Sequence, residues 1–205
     1  GGIEMPFFFL AQSAEAHQPW PGWDSKKHLN ATHVDTSDVN PANFAGLAPY
    51  AHTMSKAAND TLGTYYGAVQ LVDAFVGEVL QLLENYGHTA RTLVVFSSDH
   101  GLSDVCKGKK TAYEGGLRVP FLVKWPGVVA PSTRSDALVS FVDLAPTFLD
   151  AAGISIPTHL PGRSLMPVLQ GGGEANPRQY LYSAYTAHTT GIGTYWPSRT
   201  VRDTR

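Results

Sequence analysis

The 205-residue sequence predicts an α/β fold, a mixed and mostly parallel sheet flanked by helices. Three observations carry that expectation. Residues 93–96, Leu-Val-Val-Phe, form an apolar run rich in β-branched side chains and too short for a stable helix. Such a run reads as a strand buried on both faces of a parallel sheet. Strand, loop, long helix and strand follow one another from residue 6 to residue 97, the order of a βαβ unit with a right-handed crossover. Polar and metal-ligating residues gather just past residue 96, and open α/β sheets bind ligands beyond their strand ends.

Residues 6–12, Pro-Phe-Phe-Phe-Leu-Ala-Gln, read as the first strand, with His17 in the loop after it. Residues 18–55 are rich in Pro, Asn, His, Ser and Thr without a sustained period, and read as a long ordered loop. Asn59 or Asp60 caps a helix running to about Tyr86. Its apolar residues, among them Leu62, Val69, Val72, Val76, Leu80 and Leu83, recur at three- and four-residue spacing. Gly87 supplies its stop. A further strand is expected over residues 119–125, and Pro126-Gly127 then breaks the chain. Pro146 sits in the first turn of a helix starting near Asp143, which caps it, and Gly153 ends it. Residues 162–165 open a short helix reaching Leu169. The triplet Gly171-Gly172-Gly173 marks a boundary between a core, residues 1–172, and the start of a small subdomain, residues 173–205. Strands are expected there at residues 180–184 and 200–202.

Composition excludes several classes. A hydrophobic content of 43% and a charged content of 16% suit an ordinary globular chain. A net charge of −2 gives no basic face for nucleic acid. No apolar run approaches the ~20 residues that span a bilayer. Residues 1–10 lack the basic start of a signal peptide. The single cysteine, Cys106, excludes an internal disulfide framework. It reads as an incidental loop thiol or, beside Lys107 and Lys109, as a reactive one.

The chemistry lies in residues 97–118. Asp99 and His100 offer a carboxylate and an imidazole side by side, and Gly101 lets the backbone turn away. Lys107, Lys109 and Lys110 follow, then Tyr113-Glu114-Gly115-Gly116. Metal-ligating groups followed by lysines suggest an anionic substrate. In order and spacing, Asp99-His100-Gly101, Gly108-Lys109 and Tyr113-Glu114-Gly115-Gly116-Leu117-Arg118-Val119-Pro120 resemble the second signature region of the type I sulfatases, within the alkaline-phosphatase superfamily. A further similarity, reaching Tyr195-Trp196-Pro197-Ser198-Arg199, is closest to heparan N-sulfatase-like members.

The resemblance implies an alkaline-phosphatase-like sheet, continued after residue 173 by the beginning of a small antiparallel sheet. It implies hydrolysis of a sulfate ester or N-sulfate, on a sulfated carbohydrate, with one Ca2+ ion and a formylglycine nucleophile. Asp99 and His100 match the later metal-ligand pair, and Lys109 the sulfate-binding lysine. His17 matches the sulfate-contacting histidine, a proton donor to the leaving group, although Ala16 stands where many members have proline. Each has a plainer alternative: Asp99 as a turn cap, Lys109 as a solvated lysine, His17 as the cap of a strand end. The Cys/Ser-x-Pro-x-Arg motif that yields formylglycine is absent, and Cys106, followed by Lys107-Gly108-Lys109, is not its cysteine. The chain therefore reads as the middle-to-late part of such an enzyme, without the nucleophile and with doubtful activity alone. An extracytoplasmic location, periplasmic, secreted or lysosomal, is expected. The competing readings are a phosphodiesterase or phosphonate hydrolase of the same superfamily, and a catalytically dead binding protein.

Overall fold

The computed structural model describes residues 6–14, 16–17, 56–102, 108–171, 178–186 and 197–204, with residues 56–64 described by their backbone. Expectations for the loop at 18–55, for Cys106 and Lys107, for Gly172 and Gly173, and for Tyr195 and Trp196 lie outside the described residues. Contacts group the chain into two units, Gly1–Gly87 and His88–Arg205.

The first unit holds helix α1, Lys56–Asn85. It starts ahead of the expected caps Asn59 and Asp60, because Lys56, Ala57 and Ala58 are strong helix formers that extend it. Its end is as expected: Gly87 adopts φ +70, and its N–H donates to the Glu84 carbonyl at 2.9 Å. Ala68 is buried at 2% exposure, whereas Leu82 and Tyr86 are exposed. The stretch Tyr65–Asn85, with mean hydropathy 1.2, is long and apolar enough to cross a membrane by length and composition. The expectation concerned unbroken apolar runs, and here apolar and small residues reach that average without one. A helix packed on a sheet meets the same measure. The expected strand at residues 6–12 is not formed. Phe7, Phe8, Phe9 and Leu10 are exposed, and no described strand of this unit stands beside them to pair with.

In the second unit β1, Val94–Ser97, pairs with β2, Phe121–Lys124. The pairing is antiparallel, with Val95 opposite Val123 and Ser97 opposite Phe121. This corrects the parallel, fully buried reading of residues 93–96: every residue of β1 is half-buried. Among the described residues, the connection between the two strands contains one helix, the four-residue α2, Glu114–Leu117. A helix of ~6 Å carries the chain no distance back along β1, so the strand returns antiparallel from its far end. Pro126 and Gly127 form the tight turn leaving β2, with Gly127 at φ +80 and Val128 N–H donating to the Trp125 carbonyl at 3.1 Å.

The core of this unit lies around α3, Leu144–Ala151, which ends as expected at Gly153, φ +69, in a Schellman motif. Asp143 stands at the expected N-cap position of α3, but its side chain makes no capping bond to that helix. Its side chain is fully buried and accepts four hydrogen bonds. Ser140 N–H donates at 2.8 Å, Arg163 N–H at 2.9 Å, and the Arg178 guanidinium spans both oxygens at 2.8 and 2.6 Å. Thr147, buried on the next turn, donates to the Asp143 carbonyl at 2.6 Å and accepts from Leu165 N–H at 2.8 Å. Leu165 thereby starts α4, Met166–Leu169. Gly162 passes so close to Val142 that an added Cβ would stand 1.8 Å from its carbonyl oxygen. The expected C-terminal strands form as β3, Leu181–Tyr185, and β4, Ser198–Arg202, an antiparallel hairpin with Leu181 opposite Arg202.

Candidate functional site

The loop from Ser98 to Pro120 is closed at its base by the β1–β2 ladder, and Ser97 Oγ donates to the Pro120 carbonyl at 2.6 Å. Asp99 and His100 follow directly. Asp99 Oδ1 accepts the His100 N–H at 2.9 Å, and Asp99 Oδ2 lies 3.2 Å from His100 Nε2. His100 Nδ1 lies 2.9 Å from the Gly101 carbonyl oxygen. A carbonyl only accepts, so Nδ1 carries a proton. In that tautomer Nε2 lies beside the Asp99 carboxylate with its lone pair available to a cation.

The second arm of the loop is sewn onto the first. Gly101 N–H donates to the Gly116 carbonyl at 3.3 Å, and Lys109 N–H to the Leu102 carbonyl at 3.1 Å. The contact is backbone on backbone. A Cβ on Gly101 would stand 1.6 Å from the Gly115 carbonyl oxygen, and one on Gly116 would stand 2.6 Å from that of Gly108. Lys109 lies in the turn that this packing creates. Lys110 beside it adopts φ 73, a left-handed conformation that usually falls to glycine. Thr111 Oγ1 closes the turn by donating to the Gly108 carbonyl at 2.8 Å.

Glu114 opens α2, accepts from Arg202 on the hairpin, and forms a 3.9 Å ion pair with Arg118 one turn on. Glu114, Tyr180, Val201, Arg202 and Asp203 line an open cleft of about 490 Å³. Of the residues expected at the site, Asp99, His100 and Lys109 are therefore held on one stitched loop. His17 belongs to the other unit, in the turn after residues 6–14, where its N–H donates to the Ala14 carbonyl at 2.9 Å. Reasoning from sequence missed the tie between Glu114 and Arg202, 88 residues apart, and the one between Asp143 and Arg178. Nothing local signals either. Among the described residues no group of three or more His, Cys, Asp or Glu could hold a metal ion.

The sulfatase family model matches residues 4–154, most of the chain. The chain belongs to the sulfatase family. The ulvan-active sulfatase of Formosa agariphila is 33% identical over 179 residues, which are 87% of this chain and 34% of that protein. Among solved structures, BT4656 in complex with its substrate D-glucosamine-2-N,6-O-disulfate superposes with a TM-score of 0.65 at 27% identity. That match covers 80% of this chain and 35% of the other. The phosphonate monoester hydrolase of Silicibacter pomeroyi superposes with a TM-score of 0.58 at 32% identity, covering 72% of this chain and 29% of the other. This sulfatase sequence spans about a third of the length of each. Its architecture is accordingly that of the α/β sulfatases.

Proposed function

We propose that the protein of which this sulfatase sequence is part hydrolyses sulfate esters or N-sulfates on a carbohydrate, and that the Ser98–Pro120 loop supplies part of its site. One observation carries the reading: Asp99, His100 and Lys109 share a loop whose arms are locked by backbone hydrogen bonds. Lys109 binds the anionic sulfuryl oxygens, absorbing charge that grows as the ester bond breaks. By resemblance to the family, His17 takes the role of contacting the sulfate group and giving a proton to the leaving oxygen or nitrogen. Beyond these residues, β1 joins a mostly parallel sheet in the whole protein, and the substrate is met outside the cytoplasm.

The donor set of the loop fits a divalent cation. Asp99 Oδ2 and His100 Nε2 stand 3.2 Å apart, and the Nδ1 contact with Gly101 fixes the tautomer that leaves the Nε2 lone pair to ligate. Bound there, the cation would polarise the sulfuryl oxygens. Asp99 and His100 would hold it, with further oxygens from elsewhere in the protein. The 205 residues contain no Cys/Ser-x-Pro-x-Arg, so no nucleophilic step falls to a side chain of this sequence.

The similarity to a phosphonate monoester hydrolase favours a second reading, transfer at phosphorus. Paired aryl sulfate and aryl phosphonate substrates, assayed with the full-length protein, separate the two. A larger kcat/KM on the sulfate is expected, lowered at least ~100-fold in Lys109→Ala. A larger value on the phosphonate would overturn the sulfatase reading.

A further inference from the structure

We infer that the base of the β3–β4 hairpin positions the Lys109 loop, with Arg202 acting through Glu114. The inference rests on the reading of that loop as the sulfate site. Helix α2, which carries the Gly115 and Gly116 backbone against Gly101, is poorly equipped to hold itself. It has four residues, two of them glycine, and no side-chain cap at its start. Glycine adds backbone freedom, and a single turn is below the length at which helices persist alone. An outside tether is what this segment lacks, and Arg202 supplies one.

The tether is itself anchored. Leu181 pairs with Arg202, so Arg202 stands at the open end of the hairpin, the end from which residue 178 leads. Arg178 is gripped by both oxygens of the fully buried Asp143. A continuous chain of contacts then runs from the α3 core through Arg178, the first strand pair and Arg202 to Glu114. From α2 it passes by Gly116 to Gly101, and by Gly101 and Leu102 to Lys109. An exposed ion pair between two rigid bodies would matter little. Here one partner is fixed to the core and the other lies on a helix with almost no order of its own. Arg118 also reaches Glu114, but it belongs to the same segment and fixes it to nothing else.

The test uses the full 205-residue chain, amide hydrogen exchange followed by NMR, and charge reversal. Arg202→Glu and Glu114→Arg should each speed exchange of the Lys109 and Gly101 N–H groups about five-fold, leaving Ala152 in the α3 core unchanged. The double variant, which restores the pair in reverse, should return both amides to within about two-fold of the parent. A salt bridge that merely held its own surface in place would not move the Lys109 amide. Unchanged Lys109 exchange in both single variants, or no recovery in the double, overturns the inference. If Arg202→Glu also loosens Ala152, Arg202→Lys decides: parent-like exchange at Lys109 supports the tether and faster exchange overturns it. Titration with inorganic sulfate, read at the Lys109 amide, separates this from the functional reading. Rescue of exchange together with sulfate shifts unaltered in Lys109→Ala would uphold the tether and reject the sulfate site.

Discussion

Asp143 shows how much of this molecule rests on single side chains. Four donors converge on one carboxylate without solvent, so its charge is compensated only as long as every partner remains. Asp143→Asn keeps the shape but turns an N–H2 toward donors, leaving Arg178 without its counter-charge. A loss of about 3 kcal/mol in urea unfolding is expected, the usual cost of breaking a buried pair. Thr147→Val is a milder probe at the same place. It strands the buried Leu165 N–H, which now donates to Thr147 Oγ1, and should cost about 1–3 kcal/mol in the same measurement. Tyr65 carries the pH dependence. Burial, then the neighbouring Tyr66, raises its pKa above the ordinary 10.0. The phenol is therefore easier to ionise in the unfolded chain. Its contribution is complete below that value and falls as pH rises through and beyond it. Thermal unfolding at pH 9 and pH 11 should show a drop that is smaller in Tyr65→Phe.

At the scale of elements, the stitched loop depends on the absence of side chains. Gly101→Ala would drive a methyl group into the Gly115 carbonyl, contact with backbone that has nowhere to go. It should open the loop, with Lys109 amide exchange rising at least ~10-fold while that of Ala152 stays put. The sequence made the helices legible because their signals are local: the spacing in α1, and Gly87 and Gly153 at their stops. The order Asp99-His100, Lys109, Glu114 was equally legible, since one loop holds it all. The sheet was not. Residues 93–96 look alike whether their neighbour runs parallel or antiparallel, and the pairing of β2 is set by a return path whose described helix is the one-turn α2. Nor could residues 6–12 report what would lie beside them. Pairs such as Glu114 with Arg202 escape any reading along the chain, because charge complementarity over 88 residues leaves no trace in spacing.

For the molecule as a whole, ligand count sets what these 205 residues can do. The proposed ligands Asp99 and His100 offer two donors among the described residues, whereas calcium takes six to eight oxygens and the nearby lysines repel it. Calorimetric titration of the chain should find calcium binding no tighter than about millimolar. Micromolar binding abolished by Asp99→Ala would mean that a complete site exists among these residues. The close approach of Gly101 to Gly115 has a practical side for anyone wishing to diversify this sequence. Randomising codons 101 or 116 would fill a library with misfolded clones, whatever property was selected for. Diversity belongs instead at Tyr180, Val201 and Asp203, which border the open cleft beside Glu114.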